Sequence, residues 1–190
     1  MQFGVLGPLQ ITESGRSLPL GGETRRAVLA YLVLHANRTV RSDELIEAIW
    51  EDRPPDTAAS SLQNHVSRLR RELGADRLLT RGRGYELRVE PGELDLDLVD
   101  ALVEAAEQLE PAARSAKLRE ALALWRGRAL AELDSLAFAR AEELRLEERR
   151  LDVLEDGLDA ELAAGKGDGL VSELRALVAE HPLRERPAVS

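Results

Sequence analysis

The residues best suited to chemistry in this chain are arginines, and they are clustered. Between Thr57 and Arg88 stand seven Arg against three Asp and Glu, a local balance of +4. Within that stretch Leu62, Val66, Leu69 and Leu73 recur at four-three-four spacing, one apolar stripe on a helical period. The opposite face carries Ser60, Asn64, Ser67, Arg68 and Arg71, with Gln63 and Arg70 on its flanks and no carboxylate among them. Donors of these kinds suit base edges and phosphates. Taken alone, such a face is as compatible with plain solvated surface. The conjunction with a second basic feature, Arg81-Gly82-Arg83-Gly84 between the apolar runs LLT and GYELRV, favours nucleic acid.

The elements that must position these side chains follow from the flanking residues. Pro54-Pro55 interrupts the preceding segment, Asp56 or Thr57 is placed to cap a helix over 57–73, and Gly74 suits the left-handed residue that ends one. LLT and GYELRV then predict two short strands joined by a tight basic turn. A helix followed by a hairpin with a basic tip is the layout of a winged-helix reader of DNA. Upstream, Phe3–Leu6, Leu9–Thr12 and Ser17–Leu20 predict three short strands of an antiparallel sheet. Residues 23–36 predict a helix with Ala27, Leu29, Ala30, Leu32, Val33 and Leu34 buried and Asn37 as its stop. Arg25 and Arg26 at its start are candidate phosphate contacts, with solvation the blander role, and His65 on the flank of the 57–73 helix is a third. Ser42 is placed to cap a second helix with Asp43 and Glu44 in its first turn and Leu45, Ile46, Ile49 and Trp50 inward. The acidic link Glu51-Asp52-Arg53-Pro54-Pro55-Asp56 reads either as a spacer that sets an angle between helices or as a contact loop for a protein partner.

Beyond Pro91-Gly92 strand signals vanish. Helices are expected over 94–109, 112–126, 138–164 and 170–180, paired antiparallel, with Leu144, Leu151, Leu154, Leu158 and Leu162 inward in the third and His181-Pro182 ending the fourth. LREALALW (118–125) and LRALVAEH (174–181) echo one another, as tetratricopeptide-like helical hairpins do. The division is therefore 1–92, α+β, and 93–190, all-α. Charge divides likewise: residues 1–92 hold 13 Arg and 12 acids, whereas 93–190 hold 13 Lys and Arg against 23 acids, a balance of −10. The acidic half is not the half that faces DNA.

Composition removes other classes. The 190 residues contain no Cys, so no disulfide framework or thiolate chemistry is available, and a reducing cytoplasm is the default. No apolar run approaches the roughly 20 residues of a membrane span, and MQFGVLGPLQ lacks the basic start of a signal peptide. Aromatics make up 3%, too few for single-strand stacking platforms. His35, His65 and His181 lack metal-site spacing, and the GxG at 82–84 precedes a strand rather than opening a helix. No cofactor, metal or catalytic residue is expected.

The segments SLQNHVSRLRREL and LLTRGRGYELRV resemble the winged-helix domain of OmpR-type response regulators. LREALALWRGRALAEL and the stretch from FARAEELRLEERR to HPLRER resemble the bacterial transcriptional activation domain. In this order the two resemble the SARP family (AfsR/DnrI/RedD type), regulators of antibiotic and other secondary-metabolite gene clusters in high-GC bacteria. The 24 Arg against 2 Lys fit such a coding sequence. The resemblance implies that Asn64, Ser67, Arg68 and Arg71 face the major groove, that Arg81 reaches the minor groove from the wing, and that Arg83 adds a charge many relatives lack. It also implies that loop 51–56 contacts RNA polymerase, that the protein binds direct repeats as a homodimer, and that it recruits polymerase with its sigma factor. No receiver domain is present, so phosphorylation in cis is not expected. Relatives continue past Arg186-Pro-Ala-Val-Ser, which marks a trimmed or a naturally short member and leaves an apolar face for dimerisation. The alternative is a helical-repeat adaptor whose winged domain is not an autonomous DNA reader.

Overall fold

A computed structural model describes residues 1–165. The expected helix at 170–180, the His181-Pro182 stop, the 174–181 half of the repeat echo and the apolar face left at the C-terminal end lie outside the described residues. Strands β1 (Gln2–Gly4), β2 (Gln10–Glu13) and β3 (Arg16–Ser17) form an antiparallel sheet in that order, with Phe3 opposite Ile11 and Thr12 opposite Ser17. The third strand is two residues rather than the four expected, because Leu18 and Leu20 turn into the core of the next helix.

Helices α1 (Glu23–Leu34), α2 (Ser42–Trp50) and α3 (Ala58–Leu73) follow, with a two-residue strand β4 (Val40–Arg41) between the first two. Strand β4 was not legible as a strand. It is defined only by pairing with β6 (Gly84–Leu87), the central strand of a second antiparallel sheet ordered β4-β6-β5, where β5 is Leu78–Arg81. Gly84 is required at that crossing, since a Cβ there would collide with the Val40 carbonyl oxygen. Asn37, at φ +62, fastens the end of α1 to this sheet: its Nδ2 donates to the Val89 carbonyl at 2.8 Å and its Oδ1 accepts the Val89 N–H at 3.0 Å. Helix α1 therefore ends before Asn37, at Leu34, and Asn37 serves as a clasp.

The helix starts differ from expectation. Arg41 rather than Ser42 occupies the N-cap of α2, and its guanidinium pairs with Asp43, while the Asp43 carboxylate also accepts the Glu44 N–H. The Asp43 carboxyl is thereby held low, at about 2. Thr57 is the N-cap of α3 but makes no side-chain cap; Ser60 Oγ donates to its carbonyl instead, at 2.9 Å. Gly74 closes α3 at φ +103 and ψ 147, an extended mirror conformation open to glycine rather than the left-handed helical one.

The second half is helical: α4 (Asp95–Ala106), α5 (Pro111–Leu122), a 3₁₀ turn at Ala131–Leu133, and α6 (Ala137–Ala163). Helix α5 packs against both α4 and α6. In α6 the inward positions are Leu146, Leu151, Val153, Leu158 and Ala160. Leu144 and Leu162, expected inside, are 70% and 51% exposed.

The two halves share packing across Pro91-Gly92. Leu130, Leu133 and Ala139 enter the core around α1–α3, and Leu6 enters the core of α4–α6. Phe3 N–H donates to the Glu93 carbonyl at 2.7 Å. The buried Asp95 carboxylate accepts the N–H of Val5 at 2.9 and 3.0 Å and of Leu6 at 3.0 Å, with Arg126 Nη2 at 3.5 Å. Burial raises the Asp95 pKa, a push that those amides and Arg126 oppose.

Candidate nucleic-acid interface

Helix α3 sits on α1 and α2 through Ala58, Leu62, Val66, Leu69 and Leu73, all buried. That burial fixes the rotation of the helix, and the outer side follows from it. Ser60, Gln63, Asn64, Ser67, Arg68 and Arg71 are exposed, and neither arginine has an ion-pair partner among the described residues. The single carboxylate of the helix, Glu72, is half-buried and faces inward, where Arg25 Nη1 donates to it at 2.7 Å. The outer face therefore carries no negative charge.

Three of the expected contacts are occupied otherwise. Arg70, on the flank, donates from Nε to the Leu78 carbonyl at 2.8 Å and from Nη2 to Thr80 Oγ1 at 2.9 Å. It splints α3 to the first strand of the hairpin and spends two donors on that task. Arg25 is only 16% exposed and is the inward half of the pair with Glu72, so it joins α1 to α3 rather than projecting outward. Arg26, half-buried, donates from Nε to the Gly21 carbonyl at 3.1 Å. His65 is half-buried beside Arg25 and Arg68; burial first, then those two positive charges, lower its pKa and keep the imidazole neutral near pH 7.

The hairpin closes through Gly82 and Arg83, with Arg81 paired opposite Gly84 and Gly82 at φ +56. Arg81 and Arg88 flank Glu86, at 3.3 and 3.6 Å, leaving Arg81 half exposed along the strand. Arg83, at the tip, is exposed and makes no ion pair among the described residues. Basic groups thus extend from the helix face to the hairpin tip, joined by the Arg70 splint.

Loop 51–56 is exposed throughout. Glu51, however, is anchored: its Oε1 accepts the N–H of Ala137, the first residue of α6, at 2.8 Å. Asp52 and Arg53 remain free of ion pairs among the described residues. Sequence reasoning missed the Glu51 anchor, since nothing in residues 51 and 137 taken separately pairs them. Among the described residues no three His, Cys, Asp or Glu side chains gather as a metal site would need, and no helix is long and apolar enough to cross a membrane.

Comparison with known proteins agrees with this architecture. Residues 16–87 match the model described as transcriptional regulatory protein, C terminal, and residues 94–189 match the bacterial transcriptional activator domain. The regulatory protein AfsR of Streptomyces griseus is 40% identical over 98% of this chain, which spans 19% of that protein's length. The regulatory protein DnrI of Streptomyces peucetius is 36% identical over 97% of the chain, which here spans 74% of the relative. A solved structure of Mycobacterium tuberculosis EmbR, in complex with a low affinity phosphopeptide, superposes with a TM-score of 0.91 at 37% identity, covering 96% of this chain and 51% of EmbR. The chain belongs to the SARP family of transcriptional regulators, with an OmpR-type winged-helix domain followed by a bacterial transcriptional activator domain.

Proposed function

We propose that the chain is a sequence-specific activator that binds double-stranded DNA with the outer face of α3 in the major groove and the β5–β6 hairpin against the neighbouring minor groove. The observation that carries this reading is the carboxylate-free face of α3, solvent-exposed in the presence of α4–α6. Asn64, Arg68 and Arg71 are the base readers, with Gln63 and Ser67 beside them, and Ser60 near the helix start contacts the backbone. Arg81 and Arg83 supply the wing contact. Arg70 acts by holding the wing at a fixed angle to α3, and Arg25, Arg26 and His65 take no more than a supporting part.

Dimeric binding to direct repeats, cytoplasmic residence and recruitment of RNA polymerase with its sigma factor through Asp52 and Arg53 complete the proposal. Promoters of secondary-metabolite clusters are the proposed targets, on the strength of the Streptomyces relatives. Footprinting on the intergenic DNA beside the protein's own gene, followed by gel-shift titration at several salt concentrations, tests it. A protected repeat, bound with an affinity that falls steeply as salt rises, is expected, because phosphate neutralisation releases counterions. Absence of any specific complex at every salt concentration would leave the chain as a protein-binding adaptor.

A further inference from the structure

Leu144 is the most exposed large apolar side chain among the described residues. A lone exposed leucine is ordinary. This one is not alone, because Ala137, Ala141, Leu144 and Glu148 fall on one stripe of α6 and all four are exposed. The stripe starts where loop 51–56 ends its reach, since Ala137 is the residue whose N–H the Glu51 carboxylate accepts at 2.8 Å. Glu51 holds φ +50 and ψ −128, a conformation that non-glycine residues keep only when their surroundings fix it. The same turn of α6 is keyed into the winged half twice more. Ser135 Oγ donates to Glu23 at 3.0 Å, and the Phe138 ring meets Tyr31 edge-on at 5.2 Å. Burial, then the hydrogen bond from its hydroxyl to Glu44, pushes the Tyr31 pKa up to about 12. Loop and stripe therefore meet at the Glu51–Ala137 bond, a junction fixed from both halves of the protein.

We propose that this surface, Asp52 and Asp56 with the Ala141–Leu144–Glu148 stripe, is a single docking site for a basic protein segment that offers a small apolar socket to Leu144. Charge selects that occupant. The arginines beside the stripe are spent locally, Arg140 on the carbonyls of Asp134 and Ser135, and Arg145 on Glu142. Arg140 keeps its charge on those carbonyls, so what remains without an ion-pair partner among the described residues is Asp52, Asp56 and Glu148 against Arg53 and Arg140, an acidic surplus of one around an apolar centre. The inference rests on the reading of the loop as a polymerase contact, and it extends that contact into the helical half. Glu51 is a positioning residue in this arrangement, not a contact.

The test uses the full chain, purified RNA polymerase holoenzyme and a template carrying the footprinted site. Leu144→Asp should keep the melting temperature and operator affinity, since the side chain supports neither, while transcript yield falls at least tenfold. Leu144→Met should retain most of the yield. If Leu144→Asp transcribes normally while Asp52→Arg does not, the extension into α6 is wrong and the loop contact stands. If neither variant changes the yield, the polymerase reading of the loop fails, and the inference with it. If Leu144→Asp turns a dimer into a monomer by light scattering, the stripe belongs to a second copy of the chain and the inference is overturned.

Discussion

At the scale of single residues, three arginines within four positions of one helix divide their labour by angle alone. Arg68 and Arg71 project outward, while Arg70 turns to β5. Replacing Arg68 or Arg71 with Ala is expected to cost about 1–3 kcal/mol of specific affinity at a contacted base pair. Unfolding should be unchanged, because each side chain is solvated in the free protein. Arg70→Ala is expected to do the reverse: it removes the bonds to the part-buried Leu78 carbonyl and the exposed Thr80 hydroxyl and lowers stability by about 1 kcal/mol. Arg70→Lys should restore little of it, because a single ammonium cannot span both acceptors as the guanidinium fork does. Fluorescence anisotropy on operator DNA and thermal melts of the same variants separate the two classes. A large affinity loss with an unaltered melt for Arg70→Ala would return that residue to the reading face.

Element by element, what was legible depended on how strongly the local pattern specified the packing. Helix α3 has one apolar stripe and a polar remainder, so Leu62, Val66, Leu69 and Leu73 could only point inward, and the exposure of Asn64, Ser67, Arg68 and Arg71 followed. Helix α6 is rich in Leu and Ala and offers more than one stripe. The choice of Leu146 and Val153 over Leu144 is made by α5 and by the winged half, which a single-helix pattern does not contain. Strand β4 is two residues long, below any period, and exists because β6 lies beside it. The uses of Arg70, Arg25 and Glu51 share that origin, since each depends on a partner in another element. The wing gives a prediction at this scale. Arg83→Ala should weaken binding about equally on all sequences and reduce the salt slope by about 1, as loss of one phosphate contact does. A changed base preference instead would make Arg83 a base reader.

The β1–α4 junction gives another. Glu93 is partly buried, which by itself would raise its pKa, but the two-pronged bond from Arg77 at 2.5 and 2.7 Å, the Glu90 N–H and the N-terminal amino group together lower it to about 2. A carboxyl whose folded pKa lies below its unfolded value near 4.5 stabilises the fold above that value and loses its contribution as pH falls toward 2. Glu93→Gln should therefore reduce stability at pH 7 and flatten the dependence of stability on pH between about 4.5 and 2. Denaturant titrations at a series of pH values would show it. An unchanged acid profile would mean that other carboxylates set the acid limit.

For the molecule as a whole, the question is whether a DNA-reading half and a helical half can move independently. The packing argues that they cannot. Each core borrows from the other half, Leu6 in one direction and Leu130, Leu133 and Ala139 in the other, so opening the junction exposes apolar surface on both sides. Asp95 adds a polar lock, because withdrawal of its carboxylate orphans the buried amides of Val5 and Leu6 at about 1–3 kcal/mol for each unsatisfied donor. The chain contains two tryptophans, Trp50 in α2 and Trp125 after α5, which report one half each. Trp50→Phe and Trp125→Phe variants should show coincident unfolding transitions by fluorescence and by circular dichroism, as one cooperative unit does. Asp95→Ala in either background should lower the midpoint and pull the two transitions apart, with α4–α6 and the winged half melting separately. Separate transitions in the parent chain would show that the halves are joined by a hinge rather than a shared core, and the fixed junction of loop 51–56 with α6 would lose its physical basis.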